Sequence, residues 1–506
     1  MAKQLVTASI SAPGFYGLNT QDSSVTLNEG FALVTENCVI DQYGRLGARK
    51  GYEYVTDKVT HADVELKGGF EFTDILGVST LIGWNDTTFY TSSNDTLTAI
   101  TDNSSNTINE GDWVGVTLND ECFFYDKNYS PMQYVSGTNE LVDLTDAPHG
   151  NVAISAYGRV WVANTTTDSL TLYWSDLLDG TNFSTGSAGS IDLAAILVNG
   201  GDEIVALGTQ AGRLIVFCKD NVVVFSDNDG DTILDPINMR LVEVISGVGC
   251  VARDSVQNVG NDVLFLAEDG LRSLGRLVQE KGQPLSDLSK NIRDELVREI
   301  SLSPDRLKIK SVYSQREAFY LLLLPAFNEI YCFDVREFLQ NGAARVTNWE
   351  EQYQTDMLMV GEELYFTHTH GFAKYTGYLD DESSYDFKYY TNYLDFGDAT
   401  QQKEVKRMAV TVISAKNQNL TLRVGYDYTR ISWFEEATAL SYTSLAEWGT
   451  DEYGIAEFGT GDTIETIRAP MGGSGNIIQA GFEAVINGYA LSIQRVDLYV
   501  KQGRVY

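Results

Sequence analysis

The sequence predicts an all-β protein built around a β-propeller, and three observations carry that expectation. The first is composition: 28 Tyr, 22 Phe and 45 Gly stand against only 8 Pro in 506 residues. Aromatic and β-branched residues fit half-buried strands, while Gly and Asn supply the turns between them. The second is a recurring unit: an apolar strand, a short polar or Gly turn, then a second apolar strand. It reads "LIGWNDTTFYTS" from Leu81, "CFFYDKNYSPMQYVSG" from Cys122, "GRVWVANTTTDSLTLYWSD" from Gly158 and "GRLIVFCKDNVVVFSD" from Gly212. It continues as "NDVLFLAEDGLRSLGR" from Asn261, "REAFYLLLLPAFNEIYCFDV" from Arg316 and "GEELYFTHTHGFAKYTGY" from Gly361. The third is spacing. Successive units start about 36 to 55 residues apart, near the length of a four-stranded propeller blade.

Each element of that prediction has a physical reason. A lone hairpin cannot bury its apolar face. Blades packed in a ring bury both faces and leave only short edges. Further strand-like pieces, "DEIVALG", "MRLVEVIS" and "LKIKSVYS", bring each unit to about four strands. Seven hairpins favour seven blades over 67–380; if the first and last hairpins share a blade, the count is six. One segment breaks the β pattern. In "PLSDLSKNIRDELVREISLSP", Leu288, Ile292, Leu296 and Ile300 recur every four residues, which predicts an inserted helix near 285–302 with Ser286 as N-cap and Pro304 as its stop. Residues 1–66 read as an N-terminal arm with short strands. After the acidic stretch "YLDDESSYDFKYY" the strands lengthen, and 381–506 reads as a C-terminal β-sandwich-like domain.

Charge narrows the function classes. The chain carries 70 Asp+Glu against 36 Lys+Arg, a formal net charge of −34. Such a field repels nucleic acid and anionic membranes, and sequence-specific DNA binding needs phosphates neutralised by Lys and Arg. The longest strongly apolar run, Phe319–Phe327, is too short to span a bilayer. The opening "MAKQLVTASISAPG" lacks the apolar segment of a secretory signal. The five cysteines, Cys38, Cys122, Cys218, Cys250 and Cys332, form no CxxC and read as buried reduced thiols.

Motifs that could carry chemistry are thin. Gly247, Gly249 and Ala252 have G-x-G-x-x-A spacing, but a dinucleotide fingerprint must open a helix, and strand and turn follow here. Asp227, Asp229, Asp231 and Asp235 share a loop, yet Gly230 and the missing terminal Glu depart from a Ca²⁺ loop. His368 and His370 sit two apart with no third metal ligand identifiable. "SDLLDGTNF" (175–183) resembles a sialidase Asp-box only faintly and reads as a turn. No catalytic set, metal site or cofactor motif emerges. The expectation is a non-enzyme, with a glycan-acting propeller enzyme or a monomeric propeller scaffold as alternatives.

The stretch "DQYGRLGARKG" (Asp41–Gly51) places Arg45, Arg49 and Lys50 in an acidic chain. Read as a hairpin, it puts Arg45 and Arg49 on one strand face, about 13 Å apart, with Leu46 and Ala48 turned toward the first blade. Three uses stay open: ion pairs within the chain, pairs with acids on a neighbouring subunit or other partner protein, and phosphate contact.

This stretch also closes a longer pattern. "GLNTQDSSVTLNEGFALVTENCVIDQYGRLGARKGYEYV" (Gly17–Val55) resembles the N-terminal signature of tail nozzle proteins of short-tailed bacteriophages, also called packaged-DNA stabilisation or tail tubular proteins. The matching positions are Gly17-Leu18-Asn19, Asn37, Gly44 and Arg49-Lys50-Gly51. "GRLIVFCKDNVVVFS", "GVGCVARDSVQNVGNDVLFLAEDGLRSL", the helix near "LSKNIRDEL" and the closing "ALSIQRVDLYV" resemble the family too. The resemblance implies a virion protein of the phage tail, made in the host cytoplasm and assembled as a homohexamer around a channel for double-stranded DNA. It implies docking to a head–tail adaptor ring below the portal and to tail fibres or tailspikes. It implies an acidic channel wall past which DNA slides.

Overall fold

The computed structural model describes residues 5–503 apart from 25, 62–63, 94, 198–200, 229–233, 280–286, 414–417, 429–433 and 441–463. Among the described residues, seven sheets ring one axis: 68–99, 114–143, 150–192, 204–246, 257–273, 310–349, and 356–375 joined by Tyr52–Tyr54. These are blades 1 to 7. Each innermost strand packs on the next, and Asp356–Val360 of blade 7 packs back on Gly68–Thr73 of blade 1. A separate apolar cluster fills each of the seven junctions between neighbouring blades.

This packing explains why the repeats were legible. The second strand of a blade has a neighbouring blade on both faces. Arg159–Thr165 and Phe319–Leu324 are therefore buried at every position, and they read as continuous runs rather than alternating ones. The ring is closed by chain from before it: Tyr52–Tyr54 pairs antiparallel with Gly371–Tyr375 as the fourth strand of blade 7.

Blade 5 shows three strands, and helices cover its outer side. The helix α1 spans Leu274–Gln279 and α2 spans Arg293–Leu302. The predicted stripe holds, with Leu288, Ile292, Leu296 and Ile300 all buried between blades 5 and 6. The helix is shorter than predicted. Asp287 bridges to Arg272, and the Leu288 N–H donates to the Leu271 carbonyl at 2.8 Å, so this stretch is an extended edge, not a first helical turn. A 3₁₀ turn, Lys290–Ile292, leads into α2. Ser286 lies outside the described residues, and α1 was not expected. Leu296→Ala is expected to destabilise the protein by about 2–5 kcal/mol through the cavity it leaves, read as a lower urea midpoint.

Beyond the ring lies a second body of two facing sheets with one shared core. One sheet runs Ile464–Pro470, Lys403–Ile413, Ser492–Gln502, Leu46–Ala48, Cys38–Ile40, with Leu5–Ser11 also along Ser492–Gln502. The other continues out of blade 6 through Gly17–Leu18 and Phe31–Glu36 to Tyr385–Thr391, Ile478–Ile486, Gln418–Tyr426 and Phe434–Leu440. The segment expected to be an arm is therefore woven into both bodies. Its strands fill sheet edges that would otherwise leave backbone N–H and C=O groups unpaired. Leu46 and Ala48 pack in the sandwich core, not on the first blade.

Candidate functional site

The basic turn lies at the seam between ring and sandwich, where the hairpin Cys38–Ile40/Leu46–Ala48 meets blade 7. Arg49 is only 2% exposed. Its guanidinium grips Asp380 in a two-point pair at 2.8 and 2.6 Å, and its Nε donates to Asn37 Oδ1 at 2.9 Å. It lies 4.1 Å over the Tyr385 ring, whose hydroxyl donates to the Arg49 carbonyl. Burial disfavours the charged guanidinium, but the Asp380 carboxylate outweighs burial, so the Arg49 pKa is raised. Lys50 pairs with Glu317 of blade 6 at 2.7 Å. Both residues thus take the first of the three open uses, ion pairs within the chain. Arg45 differs: its guanidinium rests 4.4 Å over Tyr43, and its Nε has no hydrogen-bond partner among the described residues.

The neighbours of Arg49 account for the rest of the N-terminal pattern. Asn37 sits at φ +55° and bonds Arg49, the Glu350 N–H and the Asp386 carbonyl. A Cβ on Gly51 would lie 1.8 Å from the Leu379 carbonyl oxygen, and one on Gly17 would lie 2.3 Å from that of Val346. No larger residue fits such close approaches of two backbones.

The second site is the ring axis. A cavity of about 270 Å³ is lined by the innermost strand of every blade. Charged groups cross it. Arg253 forks onto Asp254 at 2.9 Å twice, and donates to the carbonyls of Asn151 (2.9 Å) and Asp112 (3.1 Å). Lys310 reaches the same Asp254 carboxylate at 2.6 Å. Asp356 accepts the Met357 N–H at 2.8 Å and the Gly69 N–H at 3.3 Å. Arg253, Asp254 and Lys310 thereby tie blades 2, 3, 5 and 6 together at the centre, and Asp356 ties blade 7 to blade 1. Burial raises the Asp254 carboxyl, but Arg253 and Lys310 outweigh it and hold the group well below the usual carboxylate range. Asp356 and Asp112 are shifted up, chiefly by burial. The axis is closed to a duplex, whose major groove alone is about 12 Å wide.

The remaining motifs resolve as structure. Gly249 bends onto Lys219 in blade 4, with no helix following before Gln257–Val259. The loop of Asp229 and Asp231 lies outside the described residues. His368 is buried and bonded through Nδ1 to the Tyr54 hydroxyl at 2.6 Å; His370 packs its ring on Tyr54. In the 175–183 turn, Asp176 accepts the Ser187 hydroxyl and N–H, bonds that hold its carboxyl down at about 2. Among the described residues no three His, Cys, Asp or Glu side chains gather to hold a metal, and no helix is long and apolar enough to cross a membrane. All five cysteines are free and buried. Nothing in the sequence marked the axial cluster, because its members come from five distant stretches of chain.

Comparison with known proteins gives one family. The model described as "Bacteriophage P22 Gp10, beta-propeller" matches residues 64–350, more than half of the 506 residues and six of the seven blades. No curated protein matches. Among solved structures, PorZ of Porphyromonas gingivalis is 11% identical with a TM-score of 0.34, over 61% of this chain and 36% of that one. Raptor of Chaetomium thermophilum is 11% identical with a TM-score of 0.40, over 67% and 29%. YCF48 of Cyanidioschyzon merolae is 9% identical with a TM-score of 0.37, over 62% and 96%. The chain thus spans about a third of the length of the first two.

Proposed function

This chain belongs to the P22 Gp10 β-propeller family of phage structural proteins, and from that premise we propose that it is the tail nozzle subunit of a short-tailed phage. The family match over 64–350 carries the reading. In it, six copies surround a channel that retains the packaged DNA and conducts it at ejection. An adaptor ring below the portal docks above, and fibres or tailspikes dock at the sides. The chain is made in the host cytoplasm and resides in the virion tail.

Two physical observations support the reading. The axis within each ring of blades is crossed by Arg253, Asp254 and Lys310, so DNA would travel between subunits and not through one. The net charge of −34 would keep a duplex, with one phosphate charge per about 1.7 Å of axis, from sticking to a wall made of this protein. The basic turn enters through Arg45, offered to an acid of a neighbouring subunit or adaptor, while Arg49 and Lys50 hold the turn in place. Imaging of the native particle tests the whole. A sixfold ring of this chain at the distal tail is expected; its absence from the tail, or a channel wall that is neutral or basic, overturns the reading or its account of the charge.

A further inference from the structure

Two turns on one face of the ring expose aliphatic side chains. On blade 1 the turn after the first strand presents Ile75, Leu76 and Val78, which are 79, 84 and 58% exposed. On blade 3 the turn after the third strand presents Leu177 and Leu178, 57 and 55% exposed. First-to-second and third-to-fourth turns of a blade lie on the same face of a propeller, so both sets point one way. Blade 2 joins them: its turn residue Asp120 accepts the Ile75 N–H at 2.8 Å, and Asn119 Nδ2 donates to the Leu178 carbonyl at 3.2 Å.

These turns are held in shape. Asp74 Oδ1 accepts the N–H groups of both Leu76 (2.9 Å) and Val78 (2.7 Å), with Gly77 at φ +80°. Leu178 N–H donates to the Gly158 carbonyl at 2.7 Å. A fixed row of exposed aliphatics rimmed by polar groups is what a docking surface presents.

The rim fixes the chemistry of the occupant. Residues 68–126 contain ten acids and no Lys, Arg or His, and 68–212 contain nineteen acids against Lys127 and Arg159. Arg159 is buried, and Lys127 is bonded to Asn164. On the adjoining blade 7, Lys374 is already paired with Glu363 at 2.5 Å. Residues 68–212 thus carry −17 of the net charge of −34, with Asp74, Asp120, Asp176 and Asp179 standing in these turns. The exposed Arg213 lies past them on the blade 4 turn, its carbonyl bonded to the Tyr157 hydroxyl. Duplex DNA is repelled there, and a second copy docking by the same face would set acid against acid. We infer that this face docks a different protein, one whose surface carries an apolar groove rimmed by Lys and Arg. Such complementarity fixes orientation and rejects wrong partners. The inference rests on the reading of the chain as a fixed part of a virion.

Because all five native cysteines are buried, Leu76→Cys introduces the single accessible thiol among the described residues. A thiol-linked benzophenone at that position, irradiated in assembled particles, is expected to cross-link to a different virion protein, at a peptide with more Lys and Arg than Asp and Glu. Leu76→Asp with Leu178→Asp, both exposed and harmless to the fold, is expected to lower incorporation of that partner about tenfold or more while this chain stays in the particle. A cross-link to another copy of this chain, or none although the chain is present, overturns the inference and leaves the tail reading standing. Absence of the chain from particles overturns both.

Discussion

Asp254→Asn is expected to destabilise the ring by about 3–5 kcal/mol, because it leaves Arg253 buried and Lys310 nearly so without their counter-charge. The whole effect follows from one side chain serving two cations at the axis. The pH dependence has a definite sign. The folded pKa of Asp254 lies below its unfolded value of about 3.9. A depressed carboxylate contributes stability that is present above the unfolded value and is lost as pH falls through the folded one. Asp356 and Asp112 act oppositely: raised by burial, they lose stability as pH rises through their folded values and regain it on protonation. Urea midpoints at pH 7, 5 and 3 should therefore show a gap between wild type and Asp254→Asn that narrows below about pH 4. A gap that stays constant with pH would mean that charge is not what Asp254 contributes.

Arg49→Ala is expected to have an effect of similar size, about 3–5 kcal/mol, at the seam. It strands Asp380 and one acceptor of Asn37, and removes the cation from the Tyr385 face. Arg49→Lys should recover only part of the loss, since an ammonium cannot reproduce the planar two-point grip. Arg49→Met with Asp380→Leu should recover more than either single change, because no buried charge is then left alone. Denaturation followed by tryptophan fluorescence suits the measurement, as Trp349 lies 6.0 Å from the Arg49 guanidinium. If Arg49→Ala and wild type unfold at the same midpoint, the pair is not what holds the seam.

The sequence made the blades visible and left the seam and the axis hidden, for physical reasons. A strand buried on both faces must be apolar throughout, so "FYLLLL" and "GRLIVFC" stand out without any partner being known. The helical stripe was visible for the same reason. Its start was not, since only the tertiary bridge of Asp287 to Arg272 decides where the helix begins. Among the N-terminal residues, Gly17, Asn37, Arg49 and Gly51 were legible as a pattern but not as a mechanism. Each is fixed by a partner about 300 or more residues away, Val346, Asp386, Asp380 and Leu379 respectively. The axial charges were invisible because a single Arg-Asp pair in a long chain has no periodicity to betray it.

The pairing of Leu5–Ser11 with Ser492–Gln502 has a consequence for how this protein is made. The strand Leu5–Ser11 is made nearly 500 residues before its partner. At roughly 5–20 residues per second, it waits about 25–100 s before that partner exists. Blades 1 to 6 can stack in order meanwhile, but Tyr52–Tyr54 cannot close blade 7 until residue 375 has emerged. Contacts of such long sequence separation make folding slow and leave strand edges open to other nascent chains. The chain before the ring is thus the part most exposed to mispairing, and the alternation of Thr7, Ser9 and Ser11 on the outward face of Leu5–Ser11 keeps that waiting strand polar on one side.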